Sequence, residues 1–336
     1  MLNSTICRDR VTLWAFEMKN LALILGSIMF AFVLAEIGVT MITNIIYPRL
    51  VISDPVLGWK YKPTSDPVER RFSESITYSI SINSDGFRDD EFRLNDQFKV
   101  MLLGDSMTFG MEVGQKEIFS YLIEQNLIDS MSTNKVDVMN FGIPGYSTAQ
   151  ELICFEYYAP IVKPDMAILM LFEQNDFWDN ALYFSSGKYR PHYVLENDEL
   201  KLVNSPTRFE RLVESLRDKS TIFALLPLKK INRQYKLTKD ERIVLMKEIL
   251  GRMHAYARKL GIPFVVYYIR DPDKRAIFSS RDPAIFSEEI KNYAKKASIR
   301  MVEIPLLKEE RVENIGHWNV DGHKHVAKII METLGT

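Results

Sequence analysis

Val100–Gly110, VMLLGDSMTFG, decides the fold of this 336-residue chain. Its apolar start reads as a buried strand, which ends abruptly at Gly104-Asp105-Ser106. A serine where a strand gives way to a helix lies at the carboxyl edge of a parallel sheet, where open α/β folds build their sites. Its hydroxyl is a poor nucleophile until a base removes the proton. The block therefore calls for a base elsewhere in the chain.

Downstream, Val136–Ser147 (VDVMNFGIPGYS) is a second apolar strand, ending in Asn140, Gly142 and Gly145. Asp165–Asn175 (DMAILMLFEQN) is a third, ending in Asn175-Asp176. Pro263–Ile269 and Met301–Ile304 supply two more. Helical patterns lie between them, at Phe119–Leu127, from Ser147 or Thr148 through Tyr158, at Lys239–Leu260 and at Phe286–Ala297. A last helix starts after Asp321 or Gly322. Strands alternating with helices predict an α/β fold with a doubly wound five-stranded parallel sheet. Residues 176–238 break the rhythm as an insertion with a hairpin at Tyr193–Val203 and short helices at Thr207–Leu216 and Ile222–Leu228. Ahead of the core, Ile76–Asn83 alternates like a half-exposed strand and leads into the turn Asn83-Ser84-Asp85-Gly86-Phe87-Arg88, a small β-rich lead-in.

Serine, glycine, asparagine and histidine follow one another at Ser106, Gly145, Asn175 and His317, the last within His317-Trp318-Asn319 and ahead of Gly322-His323. In that order and setting, from about Phe98 to Ala327, the chain resembles the GDSL/SGNH hydrolase superfamily. The resemblance implies an SGNH-hydrolase (flavodoxin-like) fold and a Ser106 that attacks an ester carbonyl. It implies an oxyanion hole made by the N–H groups of Ser106 and Gly145 and the side chain of Asn175. Gly145 is preferred to Gly142 because it ends the Asn140–Gly145 stretch. His317 is the implied base.

Three residues before the histidine, where the family has an aspartate, stands Asn314. An amide oxygen can accept the Nδ1–H of a neutral imidazole, but it offers no charge to an imidazolium, and that exchange can cost about 10⁴ in rate. Glu313 and Asp321 are near in sequence, without the family spacing. Glu173 stands where the family usually carries glycine, and is expected to point away as a solvated residue rather than narrow the pocket. His192 and His254 read as structural or surface residues. His317, His323 and His325 lack the spacing of zinc enzymes, so no metal and no cofactor are expected. The implied activity is an acyl-ester hydrolase or O-acyl transferase acting on an acylated glycan or lipid. The alternative is a non-catalytic glycan-binding or assembly protein on the same fold.

Leu21–Tyr47 (LALILGSIMFAFVLAEIGVTMITNIIY) has the length of a transmembrane helix. A cleaved signal peptide ending at Val33-Leu34-Ala35 is the competing reading; the apolar pattern runs past it and favours an uncleaved signal anchor. Glu36 interrupts the span, a costly residue there unless paired or near an interface. Arg8, Arg10 and Lys19 before the span predict a cytoplasmic N-terminus and an extracytoplasmic catalytic body. The expected organisation is a cytoplasmic segment 1–20, anchor 21–47, tether and lead-in 48–97, and SGNH-like domain 98–336. Balanced charge, 43 basic against 44 acidic residues, gives no case for nucleic acid. Cys7 and Cys154 fall on opposite sides of the membrane in this topology, so no disulfide is expected. The expected partners are the substrate, the membrane and a membrane acyl-transport protein.

Overall fold

The computed structural model describes every residue except 1, 47–49, 65, 72–75, 96–97, 186–187, 198, 227–232, 272–282, 313–315 and 336. The first element is a single helix, α1 (Leu2–Ile46), and its stretch Glu17–Thr43 is long and apolar enough to cross a membrane. Two antiparallel ladders follow, β1 (Val51–Asp54) with β2 (Gly58–Tyr61) and β3 (Val68–Arg71) with β4 (Thr77–Ile80). The alternating core starts with β5 (Phe98–Gly104), α2 (Ser106–Phe109), α3 (Phe119–Met131), β6 (Val136–Gly142), α4 (Thr148–Val162), β7 (Met166–Phe172) and α5 (Asp176–Asp179). The insertion carries β8 (Leu182–Ser185), β9 (Lys188–Tyr189), β10 (His192–Glu196), β11 (Glu199–Val203), α6 (Arg208–Lys219), α7 (Thr221–Leu225) and β12 (Arg233–Gln234). Then come α8 (Lys239–Leu260), β13 (Phe264–Arg270), α9 (Pro283–Lys296), β14 (Arg300–Pro305) and α10 (Val320–Leu334).

The central sheet has the order β14-β13-β7-β5-β6, and every pair in it is parallel. Counting core strands along the chain, this is the 2-1-3-4-5 order of flavodoxin-like folds, with its switch point between β5 and β7. Ser106 follows β5 and Asn175 follows β7, so the topology itself brings both to the crevice.

Period-two burial explains why the strands read as unbroken apolar runs. Met101 and Leu103 of β5 join one core, together with Phe155, Met246, Leu250 and Ile290 from α4, α8 and α9. Val100 and Leu102 join a second core on the opposite face, with Ile123, Leu127, Val326 and Ile330 from α3 and α10. The lead-in packs on the first core through Trp59, Tyr61 and Phe87. The insertion hairpin forms where expected, with Asn197 in its turn at φ +53°.

Two compact units can be distinguished. One comprises Met1–Arg49 and Ser215–Leu228; the other comprises Leu50–Glu214 and Lys229–Thr336, and holds the whole sheet.

Candidate active site

Ser106 opens α2 directly after β5. Asp105 caps that helix, its Oδ1 accepting from the Met107 N–H at 2.9 Å. Gly110 ends it in the left-handed region at φ +76°. A side chain at Gly142 would run into the backbone of Thr108 and Phe109, so glycine at the end of β6 lets α2 lie against the sheet. Ser106 is thereby held on a short turn with its hydroxyl half-exposed.

The expected base, His317, comes from the far end of the sequence. His317 Nε2 lies 2.8 Å from Ser106 Oγ. Asn319 caps α10 by accepting from the Gly322 N–H at 3.0 Å and donates to the Glu309 carbonyl at 2.8 Å, which fixes the turn carrying His317. Trp318 is buried beside it, and His323 Nδ1 accepts from the Phe119 N–H at 3.3 Å. His323 is therefore structural, its burial pulling its pKa down to about 3. His192 is structural as well, wedged between the Arg190 carbonyl and the Tyr235 hydroxyl.

On the other ring nitrogen the structure differs from the family spacing. Glu112 Oε2 stands 2.7 Å from His317 Nδ1, with the carboxylate side chain only 1% exposed. A carboxylate thus holds the place expected for Asn314, which lies outside the described residues. With a carboxylate oxygen at Nδ1, the hydrogen-bond pattern assigns the ring proton to Nδ1 and leaves Nε2 to accept from Ser106.

Glu112 reaches this position from a left-handed backbone, φ +65°, a conformation that costs a non-glycine residue about 1–2 kcal/mol. Arg88 over-determines the loop. Its buried guanidinium donates to the carbonyls of Phe109 at 3.3 Å, Gly110, Val113 at 2.7 Å and Ser79 at 3.1 Å, and to Gln115 Oε1 at 3.0 Å. Desolvation pulls its pKa down to about 10. The Asn83–Arg88 turn of the lead-in therefore acts on the site through the Glu112 loop.

Gly145 takes φ +80°, where glycine is at ease. Its carbonyl accepts from Arg190 Nη2 at 2.7 Å, while Trp59 donates to the neighbouring Pro144 carbonyl at 3.4 Å. Arg190 is itself held by Asp179 and lies over the Trp59 ring. Among the described residues, neither the Gly145 N–H nor the Ser106 N–H has a protein acceptor. Asn175 donates one Nδ2 hydrogen to Asp105 Oδ2 at 2.8 Å and keeps the second. Burial raises the Asp105 pKa, and the bonds from Met107 and Asn175 oppose that rise.

Glu173 is a correction. It is buried, not solvated: Oε1 accepts from the Asp271 N–H at 2.6 Å and Oε2 from the Tyr268 hydroxyl at 3.0 Å. Two donors offset the cost of burying the carboxylate, and they turn it toward β13. Next to it, Gln174 donates to Asp271, whose carboxylate pairs with Arg311 at 2.5 Å. Arg311 precedes the His317 turn and bridges to Trp318. The end of β7 is thus wired to the segment that bears His317.

The set Ser106–His317–Glu112, with three candidate donors at one strand edge, has the geometry of a nucleophile, a base and an orienting acid. No model of a known protein family matches the chain, and no curated protein does. Similar solved structures include a psychrotrophic esterase, EstA, from Pseudoalteromonas sp., at 11% identity over 71% of this chain and 97% of that one, TM-score 0.43. The lipase/acylhydrolase from Enterococcus faecalis is 14% identical over 70% and 94%, TM-score 0.43. A GDSL-like lipase from Bacteroides thetaiotaomicron is 12% identical over 73% and 91%, TM-score 0.38.

Proposed function

We propose that the protein is a serine acyl-ester hydrolase or O-acyl transferase of the GDSL/SGNH type, held at a membrane by α1 with its catalytic body outside the cytoplasm. The observation that carries this reading is the unbroken relay from Ser106 Oγ through both nitrogens of His317 to Glu112. In the reaction Ser106 gives its proton to Nε2 as Oγ attacks the acyl carbonyl. Glu112 holds the Nδ1–H and offsets the charge that the imidazolium gains. The oxyanion is met by the Ser106 and Gly145 N–H groups and the second Nδ2–H of Asn175, and one such donor contributes about 3–4 kcal/mol to lowering the barrier.

His317 then protonates the departing alkoxide, leaving an acyl-serine. Water completes hydrolysis, or a sugar hydroxyl completes transfer; the same residues serve both. An acylated glycan or lipid is the proposed substrate class, and a membrane acyl-transport protein the proposed supplier for transfer. Glu112 supports catalysis over a purely binding role, because it supplies the charge that Asn314 lacks.

A fluorophosphonate probe on the full-length protein tests the reading. Wild type should be labelled on Ser106, and Ser106→Ala should not be labelled while remaining folded by circular dichroism. Labelling that survives Ser106→Ala, or its absence in folded wild type, overturns it.

A further inference from the structure

Glu36 sits seven residues inside the Thr43 end of the apolar stretch of α1, about 10 Å along the helix axis. It is not left unpaired. Its Oε1 accepts from the Thr221 N–H and from Thr40 Oγ1 at 3.4 Å. Its Oε2 accepts from Ser220 Oγ at 2.9 Å and from the Ile222 N–H at 3.2 Å. Thr40 Oγ1 also lies 2.8 Å from Thr221 Oγ1, within hydrogen-bond distance. On α1 the half-buried residues Glu36, Val39, Thr40 and Thr43 recur at helical spacing, marking the face that α7 covers, while the lipid-compatible residues around them are exposed.

This arrangement solves two problems at once. A carboxylate inside a span is expensive unless it is paired. The first N–H groups of a helix have no partner within that helix, and hydrocarbon cannot satisfy them. Each here satisfies the other. The segment so latched, Thr221–Leu226 (TIFALL), has no charge, and its Leu225 and Leu226 are exposed, as is Leu216 in the preceding helix. Elements docked on α1 beside Glu36 share the depth of that part of the span.

We propose that residues 220–226, following the charged Arg217-Asp218-Lys219, are a second membrane-embedded element, a short helical dip beside the anchor that contacts lipid through Leu225 and Leu226 and is latched by Glu36. The proposal rests on α1 spanning a bilayer and adds to it a second point of insertion.

The test uses the full chain with Cys7→Ser and Cys154→Ala, reconstituted in phosphatidylethanolamine–phosphatidylglycerol vesicles. A fluorophore is placed singly at Leu225→Cys, at Ile24→Cys within the span, and at Lys201→Cys on the exposed hairpin, and is quenched either by doxyl lipids or by aqueous iodide. Leu225 should be quenched by shallow doxyl lipid, at a depth of about 5–10 Å into the headgroup–acyl boundary. Ile24 should be quenched by deep doxyl lipid and Lys201 by iodide. Adding Glu36→Leu should shift Leu225 toward iodide while leaving Ile24 unchanged. If Ile24 is in lipid but Leu225 answers to iodide, or to neither quencher because protein covers it, the dip is wrong and the anchor stands. If Ile24 itself answers to iodide, the anchor and the dip both fall.

Discussion

Arg190 Nη2 lies 2.7 Å from the carbonyl oxygen of Gly145, so a buried side chain of the insertion grips the loop that offers the Gly145 N–H. Arg190 touches no reacting atom; it is a positioning residue. Arg190→Ala should lower kcat on p-nitrophenyl acetate by up to about 100-fold through misplacement of the donor, with KM little changed. A purely structural loss would instead lower Tm without separating kcat from KM. Steady-state kinetics alongside thermal melts distinguish the two.

Glu112→Gln keeps the shape of the side chain and removes its charge. Ester turnover should fall by about 10⁴, as for other Ser-His-acid sites stripped of the acid. Asn314→Asp in the wild-type background should change kcat little. The reverse ranking, with Glu112→Gln mild and Asn314→Asp strongly activating, would return the acid position to residue 314.

Asn175→Ala removes one of the proposed oxyanion donors and the partner of the buried Asp105. Turnover should drop by about 10²–10³ in kcat. Stability should also fall, by about 1–3 kcal/mol, because Asp105 Oδ2 loses its donor in a buried place. A variant slowed but unchanged in denaturant midpoint would mean Asp105 finds a substitute partner.

His323 gives a pH prediction. Its folded-state pKa is about 3, below the ordinary 6.5, because burial disfavours the charged ring. Between those values the unfolded chain binds a proton that the folded chain does not, so stability is full above pH 6.5 and is lost as pH falls toward 3. One such proton gives a slope of about 1.4 kcal/mol per pH unit. Asp137, whose pKa burial raises to about 6, works the other way, so the measurement is a difference. Urea melts of wild type and His323→Gln, which keeps an acceptor for the Phe119 N–H, should diverge in slope between pH 6 and 4. Parallel curves would show that the ring is protonated in the fold.

The sheet and most of the site were legible because both follow from strand ends. Buried parallel strands announce themselves as apolar runs, and whatever ends β5, β6 and β7 must lie on one edge; that rule brings Ser106, Gly142 and Asn175 to the edge, while the preference for Gly145 comes from the family resemblance. His317 is found through the resemblance, by the Trp318-Asn319 and Gly322-His323 that follow it; the last helix starts at Val320, earlier than the expected start after Asp321 or Gly322, because Asn319 caps it. Glu112 was not readable. It sits in a loop with neither helical nor strand period, and its reach depends on a left-handed backbone and on Arg88, which comes from the lead-in. The only local signal was Gly110-Met111-Glu112-Val113-Gly114, an acid between two glycines just after the nucleophile. The family spacing before His317 leads to Asn314, outside the described residues, whereas Glu112 lies 205 residues ahead of the histidine. Glu173 was misjudged for a related reason: its donors, Tyr268 and Asp271, lie nearly a hundred residues away.

Residue 112 is also a place where heat tolerance and chemistry make opposite demands. Glycine there would relax the backbone and spare the fold a buried, partly unsatisfied carboxylate, whose Oε1 has no donor among the described residues. A screen of random variants that rewards survival of heating alone would therefore enrich Glu112→Gly, and the winners would be robust proteins that no longer turn over ester.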